Sequence, residues 1–251
     1  MKYSLFLAFL LGSIMAFGQI NQVDAKGRKQ GPWQKKYDGL HVLKYKGQFK
    51  DDKPVGTFTY YYETNKVMAI IKHQENSNRS VAYYYHENGS LMSYGIFRNQ
   101  VKDSIWLNFG PSERISSAET YVNGELHGKK IVYYVPEDPS DKSQVPSAIY
   151  LYEKDVLNGE FKEYHVNGSV KTTGQFANGK RVGVWNDYHI NGRQAHVYRY
   201  KNGIKHGWCT SHDESGKEIY KAYFYYGRHL EGKELQEKLS QMKKLGVHPN
   251  D

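Results

Sequence analysis

Gly183-Val-Trp185-Asn-Asp-Tyr188-His-Ile-Asn191-Gly192 is the stretch whose reading decides the fold, because it recurs. It is followed by Tyr200, then Asn202-Gly203, then Gly207, where the pattern restarts. Gly159 stands 24 residues upstream of Gly183, and Phe161, Tyr164, Asn167-Gly168, Phe176 and Asn178-Gly179 follow it in the same places. A period of this length marks an array of small units stacked side by side. Starting residues fall at Gly31, Gly56, Ser80, Ser104, Gly128, Gly159, Gly183 and Gly207, which makes about eight units; the next step lands on Glu231, where the pattern stops.

With the starting residue as position 0, position 2 is aromatic at Trp33, Phe58, Trp106, Phe161 and Trp185. Position 5 is aromatic at Tyr61, Tyr85, Phe109, Tyr133, Tyr164 and Tyr188, and position 17 at Phe97, Tyr121, Phe176, Tyr200 and Phe224. Each unit carries two turn signals, the first typified by Asn191-Gly192 and the second by Asn202-Gly203. Asn-Gly between β-rich runs signals a hairpin, because both residues tolerate the positive φ of a type I′ turn. Two such turns per period leave two strands of about seven residues, so each unit is a hairpin. The expected fold is all-β, an open antiparallel sheet of about 16 strands running on the order of 75 Å at about 4.8 Å per strand. A first turn at positions 8 and 9 sets position 0 opposite 17 and position 2 opposite 15. The starting glycine is then expected to lie beneath the position-17 ring. Parity puts the position-2 ring on that face and the position-5 tyrosine on the other. The chain has 23 tyrosines and a mean hydropathy of −0.77, which argues against a thick two-layer core.

These units resemble the bacterial variant of the MORN repeat, which reads Gly-x-Trp-x-x-Tyr-x-x-Asn-Gly followed by an aromatic-x-x-Gly turn. The resemblance covers about residues 31 to 227 and is most specific from Gly159 to Gly216. It implies tandem β-hairpins in an elongated sheet, with a scaffolding or binding role; many bacterial members are of the antitoxin-like YwqK type. The second to fifth units depart from it, with Ser80 and Ser104 in place of glycine and Asn65-Lys66 and Ser112-Glu113 in place of Asn-Gly.

Lys2 and the apolar run Leu5 to Phe17, ending in Ala16-Phe17-Gly18, read as an export signal over residues 1–18, cleaved before Gln19. Residues 19–30 read as a flexible lead-in, 31–230 as the array, 231–246 as a helix and 247–251 as a tail. The lone Cys209 can form neither an internal disulfide nor a metal framework. The formal charge of +9 is uneven: Gly159 to Gly207 holds eight Lys or Arg against three acids, and Thr57 to Asn158 holds ten against twelve. Export and the lack of a recognition helix, zinc finger or RNA-binding signature argue against nucleic acid. The charge is expected to be a solvated surface that meets an acidic envelope polymer, with a membrane surface also open.

The informative places are the departures from the repeat. Seven extra residues near Pro136 to Pro146 predict a protruding acidic hairpin loop. Leu235, Leu239, Met242 and Leu245 recur at helical spacing, with Glu234 and Lys238 as an i,i+4 pair, and this helix is expected to cover the last strand edge. Among the eleven histidines, His86, His165 and His189 share position 6. Equivalent positions lie about 9.6 Å apart, too far for one zinc ion, so the histidines read as repeat inheritance. No catalytic, cofactor or metal constellation is expected. The function read from this is a non-enzymatic exported scaffold that binds a protein or envelope polymer, or alternatively an immunity protein that neutralises one toxin. The candidate surface is Lys180, Arg181, Arg193, Arg199 and Lys201, with Trp185 and Tyr188 either stacking on a ligand or packing the ladder.

Overall fold

The computed structural model describes residues 19–251 except 111, 137, 139 and 142, so the expected export signal lies outside the described residues. The chain runs β1 (Gln22–Val23), β2 (Lys29–Lys36), β3 (Leu43–Lys50), β4 (Lys53–Tyr61), β5 (Val67–His73), β6 (Arg79–Tyr85) and β7 (Leu91–Arg98). It continues through β8 (Val101–Phe109), β9 (Ile115–Val122), β10 (Glu125–Tyr133), β11 (Pro146–Glu153), β12 (Val156–Leu157), β13 (Gly159–Tyr164) and β14 (Val170–Ala177). The last elements are β15 (Lys180–Tyr188), β16 (Gln194–Lys201), β17 (Ile204–Lys205), β18 (Gly207–His212), β19 (Glu218–Tyr225), β20 (Arg228–Leu230) and the helix α1 (Gly232–Lys244). All pairings are antiparallel between strands near in sequence, and they form one long open sheet. Sixteen full strands give two per unit. The other four are short: β12 and β17 are leading pieces split off by the starting glycine, and β1 and β20 stand at the ends.

The expected register is present. Gly56 faces His73, Ser104 faces Tyr121, Gly159 faces Phe176, Gly183 faces Tyr200 and Gly207 faces Phe224. The second turns are type I′, with φ of 49° and 76° at Asn178-Gly179 and 53° and 85° at Asn202-Gly203. The first turns differ from the expectation. Only the ninth position is left-handed there, as at Gly168 (φ 82°) and Gly192 (φ 81°), and the asparagine before it is not. The loop is closed by His189 N–H to Arg193 O, with Gly192 N–H returning to His189 O, which makes a three-residue loop. The pairing then steps from Tyr188 opposite Gln194 to Asp187 opposite His196, leaving Ala195 as a bulge. The extra loop residue and the bulge cancel, so the wrong turn type predicts the right register.

The starting glycine also has a different reason from the one expected. A Cβ on Gly31, Gly56 or Gly183 would meet nothing within 4 Å, so no ring covers these positions. They have φ of 66°, 65° and 67°, and at Gly56 and Gly183 this falls in a bulge where three residues of one strand arch across one of its neighbour. In the second, fourth and seventh units that arch drops the position-2 ring onto position 15 of the unit before. A Cβ on Gly174 would lie 2.2 Å from the Trp185 ring, one on Gly95 2.2 Å from Trp106, and one on Gly47 2.4 Å from Phe58. The glycine beneath the ring is therefore Gly174, not Gly183. In the third unit, where Ala82 stands at position 2, the pairing from Ala69 to His73 runs on without a bulge, whereas the fifth and eighth units keep the bulge with Lys130 and Cys209 there.

Face A denotes the face carrying positions 2, 4, 15 and 17. Its rings form an edge-to-face ladder: Phe49–Phe58 at 5.1 Å, Phe97–Trp106 at 5.0 Å and Phe176–Trp185 at 5.0 Å. Such a contact contributes about 1 kcal/mol beyond area burial. Phe58, Trp106 and Trp185 are buried, as expected of a ladder with no second layer above it. The position-5 tyrosines lie on the opposite face, face B, where Lys46 sits over Tyr61.

The long sides of the sheet are stitched by side chains as well as backbone. At position 6, Tyr37, Tyr62 and Tyr134 donate hydroxyls to the position-5 carbonyls of Tyr61, Tyr85 and Tyr164 in the next unit. His165 and His189 do the same with Nε2–H to Tyr188 O at 3.0 Å and His212 O at 2.9 Å. On the other side, Gly179, Gly203 and Gly227 donate N–H to Leu157, Arg181 and Lys205 carbonyls.

Both ends depart from expectation. The lead-in joins the sheet, since β1 pairs with Lys29 and Gln30, and Trp33 Nε1 donates to Gln22 O. Helix α1 lies on face B, packing Leu235, Leu239 and Met242 against Trp208, Tyr223 and Tyr225, and it does not cover the strand edge. Glu234 pairs with Arg228 and Lys238 stands over the Tyr225 ring at 3.8 Å, so the expected Glu234–Lys238 pair is not formed. Leu245, beyond the helix, is 77% exposed. The inserted segment does lie at a first turn, closed by Tyr134 N–H to Val145 O, and Pro146 opens β11, where its missing N–H is tolerated.

Candidate functional site

The seven residues singled out in the sequence do not form one surface. Trp185 is 1% exposed, so it cannot stack on a ligand; the ladder holds it. Arg181 caps that ring on face A, 4.2 Å from Trp185 and 5.6 Å from Tyr200. The same position, two residues before the starting residue, holds Lys29 over Trp33 and Phe49, Lys102 over Trp106 and Tyr121, and Lys205 over Phe224. Part of the basic excess is therefore a repeat feature that shields rings from water, each contact contributing about 0.5–1 kcal/mol. Arg193 is pinned at the first-turn side by Nη1–H to Glu214 O, and Tyr188 is half-buried on face B.

Lys180, Arg199 and Lys201 do come together. Arg199 pairs across the strands with Val184, and Lys201 with Ile204, which puts these four on face B along the second-turn side. Lys180 leans on the turn glycine Gly203 from the same side. Val156, Val184 and Ile204 there are 43%, 47% and 46% exposed. Arg199 donates Nη1–H to Trp208 O and is partly spent on structure. Lys180 and Lys201 are exposed and have no acidic partner among the described residues. The result is a basic stripe interleaved with aliphatic side chains.

Sequence reasoning missed a polar row that crosses face A at positions 13 and 4. Thr172 donates to Asp187 Oδ1 at 2.9 Å, and the neighbouring His196 Nδ1 lies 2.9 Å from Ser211 Oγ. Lys171, bulged toward the same face, bonds Glu163 at 2.6 Å. Glu163, Lys171, Thr172, Asp187 and His196, with the Trp185 and Tyr198 rings, line a groove of about 480 Å³. A serine beside a histidine also occurs at Ser80 and His73, 2.8 Å apart, where burial lowers the His73 pKa. Asp187 bonds Thr172 rather than His196, so no carboxylate orients the imidazole beside Ser211. Spacing could have revealed the row, because positions 13 and 4 are paired by the same register that places the rings. A scan against protein-family models and a search of curated proteins each found no match.

Proposed function

We propose that this chain is an exported, non-enzymatic scaffold of MORN-like hairpin repeats that binds an acidic protein or envelope polymer through the second-turn side of face B, from the end of its fifth unit to the end of its seventh. The observation that carries the reading is the exposed stripe of Lys180, Lys201, Val184, Ile204 and Val156, where cations with no acidic partner among the described residues alternate with water-facing aliphatics. Aliphatic surface supplies contact area, and the lysines select a partner of negative charge. Most other distinctive side chains, including Arg181, Trp185, His165 and His189, are engaged in holding the array together.

The test is capture of partners from envelope extracts by residues 19–251, at low and high salt, beside the variant Lys180→Glu/Lys201→Glu. An acidic polymer is expected to bind at low salt and to be released within a few hundred millimolar salt, where screening shortens to about 5 Å. A dedicated protein partner, including a toxin neutralised one-to-one, is expected to survive that wash through the aliphatic contacts. In both cases the double variant loses binding. Retention of nothing at either salt, or capture unchanged in the variant, overturns the reading.

A further inference from the structure

We infer that the outer edge of β19 at Glu218–Lys221 accepts an extended strand from a protein partner, in the place that a ninth unit would take. The chain builds the same junction between units seven times. At each one, positions 13 and 14 pair with positions 4 and 3 of the next unit, as Thr172 and Thr173 do with Asp187 and Asn186, and His196 and Val197 with Ser211 and Thr210. In the eighth unit those positions are Tyr220 and Lys221. Their inner side pairs with Ser211 and Thr210, and β20 takes the outer side only at Tyr223, Phe224 and Tyr225.

The chain then leaves the edge. Glu231 leads into α1, whose packing on Trp208 and Tyr225 carries it over face B. The tail follows to the second-turn side, where Asn250 accepts from Trp208 N–H. The first-turn half of the β19 edge stays open, with Ile219 63% and Tyr220 53% exposed. A row of unpaired main-chain groups beside exposed large side chains is a template for strand addition.

A second copy of this chain is a poor occupant. Its complementary half-junction lies on β2, at Gln34 and Lys35. However, β1 fills the other half of the β2 edge and β20 the other half of the β19 edge. Two intervening strands at about 4.8 Å each would wedge the edges apart before the open halves could meet. A free extended segment has no such obstruction. Asp187 and Glu163 occupy position 4 opposite Thr172 and Ala148, so an acidic residue opposite Tyr220 would extend the polar row of face A. Lys217 adds an exposed positive charge at the first-turn end of this edge, whereas Lys221 is held on face B over the Trp208 ring at 4.9 Å, and Glu218 disfavours a second acid at the far end. This site is an edge, and it stands independently of the face-B stripe.

The probe is a labelled synthetic peptide copying residues 183–190, the first-half strand of the seventh unit, titrated into residues 19–251 and followed by fluorescence anisotropy. Saturable binding is expected. Two further peptides, N-methylated at alternate sets of residues, should behave differently. The set whose N–H groups face β19 should bind about tenfold or more weakly, and the other set about as well as the parent. Lys221→Pro, which removes the N–H that position 14 turns outward at every other junction, should abolish binding in a protein whose circular dichroism is unchanged, and Lys180→Glu/Lys201→Glu should leave it intact. Absence of saturable binding, equal binding by both methylated peptides, or full binding to Lys221→Pro overturns the inference. If the Pro variant fails to fold, the methylated pair decides alone.

Discussion

Gly174 and Gly183 illustrate how one residue type serves two ends within a single unit. Gly183 supplies a left-handed backbone in open space, and Gly174 supplies the absence of a side chain beneath a buried indole. Alanine at the two sites should therefore fail in different ways. Gly174→Ala puts a methyl 2.2 Å from Trp185, so the ring must lift from the sheet and break its contacts with Phe161 and Phe176. A cost of about 2–3 kcal/mol is expected, of the size of core overpacking, with a shift in tryptophan emission. Gly183→Ala incurs about 1–2 kcal/mol of backbone strain and leaves the ring in place. Thermal unfolding read by fluorescence checks both, and equal emission spectra for the two variants would refute the division of roles. Both glycines are visible in the sequence. The Asn-Gly turns drew the reading, though, and Gly47, Gly95 and Gly174 repeat in only three units. What linked them to Trp185 was the arch at Gly183, which is a tertiary consequence of left-handed backbone and cannot be read from alternation alone.

At the scale of elements, the histidines divide in the same way. His165 and His189, read from the sequence as repeat inheritance, each replace a tyrosine hydroxyl in a stitch between first turns. His206 shares with His127 the place before a starting glycine and takes no part in that stitch. It is 2% exposed, donates Nε2–H to Asp251 O at 3.0 Å and accepts Tyr226 N–H on Nδ1 at 3.3 Å. Both bonds together need the neutral ring. Burial lowers its pKa below the ordinary 6.5, the bond to Asp251 opposes that, and the nearby Lys201 and Lys238 reinforce it. A depressed folded pKa means that the fold favours the neutral form. The contribution is then complete above about pH 6.5 and is lost as pH falls through the folded value. Protonation removes the Tyr226 bond, costing about 1 kcal/mol, and loosens the tail from Trp208. His206→Asn, which keeps a donor for Asp251, should be less stable than the parent at pH 8 and lose less on going to pH 5. Parallel stability curves for the two proteins would show that His206 does not couple the tail to pH.

For the whole molecule, the repeat foretold the body of the fold far better than its ends. Sixteen full strands and the register of every full unit follow from a period of 24 and two turns per period. The caps do not, because they are built from segments that obey no period: β1 on the first strand, β20 on the last, and a helix that leaves the edge for face B. The candidate site was legible in part, as a basic excess after Gly159. The burial of Trp185 and the use of Arg181 as a ring cap became apparent only once the faces were assigned. An array in which each strand touches only its neighbours has a mechanical consequence: stability is a sum of unit and junction contributions, and damage at one end travels only as far as the junctions carry it. Removing residues 232–251 bares Tyr223 and Trp208 and takes away the bonds from Asn250 and His206. Hydrogen exchange should then quicken in β16 to β19 by an order of magnitude or more, matching the loss of about 2 kcal/mol or more of local packing. Strands β3 to β8, more than three units away, should exchange at unchanged rates. A uniform acceleration over all eight units would mean that the sheet unfolds as one cooperative body.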